Sequence, residues 1–212
     1  MTTTVSLGLI VLLFAGSFVS IFLPSNLRHV LVIIEICLIV LFGQYKLLLQ
    51  IHGFDIFLVG LGILSGQLLF FLSLVLVNLS VKKAWNAIKS CQGFIRYYFN
   101  FRVFLYYLVV SGFEEILWRA TIQKLLGETL KAIVITSLFF ALGHLRKSKT
   151  VYVMDFLDIF LLSCLLGSLF LATHSIYLVT AAHMVRNINL SFLQKVKLLR
   201  KPRESINQLA VI

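Results

Sequence analysis

Three short motifs place polar side chains inside apolar stretches of the second half of the chain, and together these side chains could carry out hydrolysis. The motifs are Glu114 and Glu115 with Arg119, Phe140 with His144, and His183 with Asn187. Ionisable side chains within apolar stretches are costly, so each such group is a candidate functional site.

The first group divides into two parts if it lies on a helix. Positions i and i+4 share a helix face, so Glu115 can pair with Arg119, whereas Glu114 points about 100° away. A carboxylate that points away from the pair can serve as a general base towards water. The plainer interpretation is a charge cluster that ties helices together.

The other two groups would complete a hydrolytic site. His144 beside Glu114 could orient a water molecule, and His183 with Asn187 could donate hydrogen bonds to an oxyanion. The plainer interpretations are a histidine at the membrane boundary and an interhelical hydrogen bond. The sequence contains no GxSxG motif, so the attacking group would be water and no acyl-enzyme would form.

A metal is the rival chemistry for the same residues. Glu114, His144 and His183 could supply the three protein ligands of a catalytic zinc, with water in the fourth position. No HExxH motif favours this interpretation. The sequence therefore leaves two expectations open, either no cofactor or one divalent metal such as zinc.

Composition indicates that these residues lie in a membrane. The chain has 212 residues, 60% of them hydrophobic, and a mean hydropathy of +1.00. A soluble domain of this length cannot bury so much apolar surface, so we expect an integral membrane protein. The net charge of +11 arises from basic residues between the apolar runs, which indicates contact with an anionic lipid bilayer and no nucleic-acid partner.

The apolar runs predict an all-α polytopic membrane protein of seven transmembrane helices, with six as the alternative, because a span needs about 20 residues. The predicted spans are Val5–Leu23, Val30–Leu49, Phe54–Leu79, Val103–Leu125, Leu130–Leu145, Asp155–Ala172 and Ser175–Leu193. The basic and aromatic segment Val81–Arg102 predicts an amphipathic helix in the interface. Gly62 and Gly66 predict a close helix contact in the third span.

Basic residues predict the orientation of the chain. Of the nineteen Lys and Arg residues, fourteen lie in the connections of one side, whereas three lie at the span ends of the other side. The positive-inside rule then places the N-terminus outside and the C-terminus in the cytoplasm, and the short chain favours a prokaryotic cytoplasmic (inner) membrane. Within the spans, Asp155 and Asp158 are expected to cap a helix start, while Arg186 snorkels or pairs with an acid.

The three motifs EExxxR, FxxxH and HxxxN, in this order between about residues 103 and 193, resemble the CPBP family of CAAX proteases and bacteriocin-processing enzymes, also called the Abi family. The resemblance implies an all-helical membrane fold with a site open to the cytosol. It implies that Glu114 and His144 activate water and that His183 and Asn187 form the oxyanion site. Glu115, Arg119 and Phe140 would support this geometry. The family is described both as glutamic-type and as metal-dependent.

We therefore expect a single membrane domain, with N-terminal helices and the interfacial helix in residues 1–101, catalytic helices in residues 102–194 and a basic tail in residues 195–212. The expected function is intramembrane cleavage of a small membrane-associated protein or peptide. Maturation of a bacteriocin or pheromone, or removal of a C-terminal tag, is favoured over CAAX-type cleavage. The alternative is an inactive membrane protein that serves in immunity or regulation.

The predicted boundaries contain one conflict. They place His144 near the cytoplasmic boundary, whereas Glu114 lies roughly 17 Å inside its own span. The two side chains can meet only if the fifth span is tilted or lies deeper than its predicted boundaries.

Overall fold

The computed structural model describes residues 53–78, 100–144 and 153–195, with isolated residues at 27, 30, 33, 34, 37, 81, 82, 85, 86 and 97. In these ranges the chain is helical and contains no strand. The helices are α1 (Gly53–Asn78), α2 (Phe101–Glu115), a π-helical segment (Ile116–Gln123), α3 (Leu130–His144), α4 (Val153–Thr173) and α5 (Ile176–Lys195). The all-α prediction is thus confirmed for the described residues.

Two of these helices, α1 and α4, are long and apolar enough to cross a membrane, and α3 is a shorter apolar helix. Large apolar side chains such as Ile56, Phe57 and Leu64 are exposed on α1, as expected of a surface that faces lipid. The first two predicted spans, most of Val81–Arg102 and the tail after Lys195 lie outside the described residues. Seven spans therefore stay a prediction.

The helix that carries the first motif begins at a capped end. The side chain of Asn100 accepts hydrogen bonds from the backbone N–H groups of Arg102 and Val103, at 3.1 and 3.4 Å. These bonds satisfy two of the donors that a helix start leaves without partners. The helix start at Phe101 is close to the predicted start at Val103.

The fourth predicted span is helical throughout, but its second half winds as a π-helix. The backbone N–H of Lys124 donates to the carbonyl oxygen of Arg119, five residues earlier, and the Thr121 hydroxyl donates to the carbonyl oxygen of Ile116 at 2.9 Å. Every residue from Leu117 to Gln123 is buried, so this segment lies in the interior of the bundle. π-helical turns are rare and are often found at functional sites.

α5 is the central helix of the described part, because it packs against α1, α2 and α4. Gly62 and Gly66 allow its backbone to come close to α1. A Cβ atom at Gly62 would lie 2.4 Å from the carbonyl oxygen of Leu178, and one at Gly66 would lie 2.6 Å from that of Ala182. The close helix contact predicted for the two glycines is confirmed, and it holds the helix that carries the third motif.

α3 packs against α4 and the π-helical segment and ends at His144. Its last described residue, His144, brings Nε2 to 3.6 Å from Oε1 of Glu114. The two side chains therefore meet, although the predicted boundaries placed them at different depths.

Candidate active site

Glu114 lies between two histidines from different helices. Its Oε1 atom is 3.6 Å from Nε2 of His144, and its Oε2 atom is 3.6 Å from Nε2 of His183. The side chains of Glu114 and His144 are 23% and 32% exposed, whereas that of His183 is only 2% exposed. One carboxylate therefore joins α2, α3 and α5, with an open side at His144 and a closed side at His183.

The ring of His144 is fixed by contacts within its own helix. Its Nδ1 atom lies 2.8 Å from the carbonyl oxygen of Phe140, and the two rings are 4.3 Å apart. A carbonyl oxygen only accepts, so Nδ1 carries the proton of this bond and Nε2 of the neutral ring presents its lone pair towards Glu114. Phe140 supports His144 in this way, and its own ring is buried against Trp118.

Glu115 is fully buried and accepts from two partners. Arg119 Nε donates to its Oε2 atom at 3.1 Å, and His183 Nδ1 donates to its Oε1 atom at 2.7 Å. The predicted pair of Glu115 with Arg119 is confirmed. In addition, Arg119 Nη2 donates to the Ser163 hydroxyl at 2.7 Å, and its guanidinium lies 5.6 Å from the centre of the Phe140 ring.

His183 connects the two glutamates. Its Nδ1 atom is bound to Glu115, and its Nε2 atom faces Glu114. A neutral ring that donates from Nδ1 can only accept at Nε2, so a hydrogen bond donated from Nε2 requires the doubly protonated ring. The carboxylates of Glu114 and Glu115 lie on either side of that ring.

Asn187, the last residue of the third motif, is partly exposed and belongs to a second polar network. Its Oδ1 atom accepts from Arg186 Nη1 at 3.2 Å. Arg186 is buried and forms an ion pair with Asp158 of α4. The expectation that Asp158 caps a helix start is wrong, because α4 begins at Val153 and Asp158 lies a turn further along, opposite Arg186.

The sequence interpretation gave no role to Asp158 beyond a cap, and none to Ser73 or Ser163. The signal that could have found the Asp158 pair is Arg186 itself, since a cation inside an apolar stretch needs a buried acid. That acid lies 28 residues away on another helix, so only the packing of α4 on α5 identifies it.

The residues proposed as zinc ligands do not converge on one point. Among the described residues, no three His, Cys, Asp or Glu side chains are grouped so as to hold a metal ion. His144 and His183 approach different oxygens of Glu114, so the carboxylate lies between the imidazoles and does not share one coordination point with them. As placed, the set fits a bridging carboxylate and not a three-ligand zinc site.

Comparison with protein families gives one result. Residues 97–189 match the family model described as type II CAAX prenyl endopeptidase, Rce1-like. The match covers slightly less than half of the chain and contains all three motifs. Comparisons with curated proteins and with solved structures found no significant match. Residues 97–189 thus match an Rce1-like type II CAAX prenyl endopeptidase domain, in agreement with the CPBP resemblance that the three motifs carry.

Proposed function

We propose that this protein is an intramembrane endopeptidase that uses a water molecule to hydrolyse a peptide bond in a small membrane-associated protein or peptide. The observation that carries the proposal is the position of Glu114 between the Nε2 atoms of His144 and His183, within the family-matched residues. An acid inside a helical membrane bundle lowers its stability, so its presence there indicates a function.

Glu114 and His144 are the groups that activate water. Their facing atoms are 3.6 Å apart, so one water molecule can donate to both at ordinary hydrogen-bond distances of about 2.8 Å. Glu114 takes a proton from this water while the oxygen of the water molecule bonds to the carbonyl carbon of the substrate. When the C–N bond breaks, Glu114 returns the proton to the leaving amine. General-base catalysis of this kind contributes about 10²–10⁴-fold to the rate.

Asn187 and His183 stabilise the oxyanion of the tetrahedral intermediate. The carboxamide of Asn187 donates from its NH₂ group, since its oxygen already accepts from Arg186. His183 donates from Nε2 when its ring carries two protons. Loss of one oxyanion donor typically lowers kcat by about 10²–10³-fold.

The substrate approaches from the side of Glu114 and His144. These two side chains are partly exposed, whereas Glu115 and Arg119 behind them are fully buried. The membrane topology predicted from basic residues turns this side towards the cytoplasm. The family name suggests prenylated CAAX proteins as substrates. Precursors of bacteriocins or pheromones are the other substrate class to test.

Two measurements test the proposal. The first is cleavage of a farnesylated CAAX peptide and of its unprenylated form, and the second is the profile of new peptide termini in cell membranes. The parent, Glu114→Gln and Asn187→Ala are compared, with Glu128→Gln as the control because Glu128 lies in the loop between the π-helical segment and α3. We expect cleavage by the parent and the control only. Equal cleavage by all four proteins, or no terminus that depends on the parent, would overturn the proposal and favour a binding role.

A separate measurement addresses the metal. The mechanism uses the side chains of the chain alone, so we expect the purified enzyme to keep its activity after treatment with a chelator. Loss of activity that zinc restores, together with one bound zinc per chain, would contradict this part of the mechanism.

A further inference from the structure

We propose that Arg186, held in place by Asp158, is a positioning residue that orients the carboxamide of Asn187 towards the substrate. This inference rests on the proposed function, because it concerns how one of the oxyanion donors is presented. It adds two residues, Asp158 and Arg186, that none of the three motifs assigns.

Arg186 is 6% exposed and uses three nitrogens on three partners. Its Nη1 atom donates to Asn187 Oδ1 at 3.2 Å, its Nη2 atom donates to Asp158 Oδ2, and its Nε atom donates to the Ser73 hydroxyl at 3.2 Å. These partners come from α5, α4 and α1. A planar guanidinium tied to three helices has no freedom to turn, so its Nη1 atom is a fixed reference point.

This fixed donor selects one orientation of the Asn187 carboxamide. An amide has an oxygen that accepts and an NH₂ group that donates, and the two ends exchange when the group flips. In the flipped orientation the NH₂ group would face the guanidinium, so that two donors would meet and neither would be satisfied. Arg186 therefore keeps Oδ1 on its own side and leaves the NH₂ group of the partly exposed Asn187 to donate elsewhere.

Asp158 acts through Arg186. A guanidinium inside a helical bundle requires a counter-ion, and truncating one member of a buried pair strands the charge of the other. Asp158 is buried on α4 and faces Arg186 directly. Its carboxylate accepts from Arg186 Nη2, so its effect on Asn187 is exerted through that guanidinium.

Asn189, two residues further along α5, is a natural control. It is also a buried amide, but its Nδ2 atom donates to Gln67 Oε1 on α1 at 2.8 Å. This bond ties α5 to α1 and involves neither Arg186 nor the motif residues. Asn189→Ala removes this bond between α5 and α1, so it is the control for a loosening of α5.

The first test is a double-mutant cycle on peptide cleavage. Arg186→Lys keeps a cation for Asp158 but loses the fork that reaches Asn187. We expect it to lower kcat at least tenfold with little change in KM, and to lower kcat less than twofold further in an Asn187→Ala background. Asn189→Ala should combine multiplicatively with Asn187→Ala. If the effects of Arg186→Lys and Asn187→Ala multiply, or if Arg186→Lys keeps the parental kcat, the proposal is overturned.

The second test needs no substrate. In micelles, the side-chain NH₂ resonances of Asn187 are assigned by their loss in Asn187→Ala. We expect Arg186→Lys to shift them and Asn189→Ala to leave them in place. Unchanged resonances in Arg186→Lys would overturn the positioning role. A parent without activity would overturn the proposed function alone, because this measurement would still decide the positioning role.

If Arg186→Lys does not fold, the double variant Asp158→Asn with Arg186→Gln replaces it. This variant removes both charges together and so strands neither. The expected shift of the Asn187 resonances is the same, because the guanidinium that holds Oδ1 is absent.

Discussion

Glu114 and Glu115 are neighbours in the chain, yet they belong to two different regions of the site. Glu114 lies in the open half with His144, where both side chains are partly exposed. Glu115 lies in the closed half with Arg119 and Ser163, where the ion pair is fully buried. Their 100° separation on α2 turns identical side chains towards different surroundings. The difference teaches that an accessible acid is available for chemistry, whereas an enclosed acid stabilises the bundle.

The largest effect is expected for Glu114→Gln, which removes the charge from the open half but keeps the shape of the side chain. We expect the rate of cleavage to fall by about 10²–10⁴-fold, because the general base is lost. The midpoint of thermal unfolding in micelles should stay near that of the parent. A large fall in this midpoint would show that Glu114 has the structural role assigned to Glu115 and would break the comparison.

Arg119→Met tests the closed half. It leaves Glu115 without its cation in a fully buried position, so we expect a loss of about 3–5 kcal/mol in the free energy of unfolding. Chemical denaturation in micelles measures this loss. The double variant Glu115→Gln with Arg119→Met should recover much of it, and no recovery would contradict the pairing as the cause.

Gly66→Ala disturbs both halves, because it displaces the helix that carries His183. Its Cβ atom would lie 2.6 Å from the carbonyl oxygen of Ala182, and overpacking of this kind costs about 1–3 kcal/mol. The matched control is Gly60→Ala, since nothing lies within 4 Å of a Cβ atom there. We expect the control to be neutral or stabilising, and equal unfolding midpoints for the two variants would contradict the close contact.

Ser163→Ala is expected to have the smallest effect, and it sharpens the account of the closed half. It removes the hydroxyl that accepts from Arg119 Nη2, and hydrogen bonds between helices in membranes contribute about 0.6–1.7 kcal/mol. We expect this loss in unfolding experiments with little change in the rate of cleavage. Ser168→Ala is the control, because the Ser168 hydroxyl donates only to the carbonyl oxygen of Cys164 in its own helix.

Features that depend on nearby positions were predictable from the sequence. The pair of Glu115 with Arg119 follows from a spacing of four residues, and the contact at Gly62 and Gly66 follows from two small residues on one face. The bounds of α3 agree with the predicted span within one residue. In each case the physical cause is contained in a few turns of helix.

Features that depend on the register between helices were not predictable in the same way. Glu114 meets His144 and His183 across 30 and 69 positions of the chain. Their shared chemistry and the family resemblance grouped them, but no spacing rule could place them in contact. The partner of Arg186 was left open, since helix packing decides which acid it faces. The π-helical winding after Glu115 has no signal that spacing alone reveals.

The contact of α1 with α5 has a consequence for what counts as the protease domain. The family match begins at residue 97, whereas α1 ends at Asn78. Even so, the backbone of α5 rests on Gly62 and Gly66, and Ser73 binds Arg186. The homologous unit is therefore smaller than the folding unit. A fragment cut to the matched residues would leave the carbonyl oxygens of Leu178 and Ala182 facing lipid where a neighbouring helix belongs.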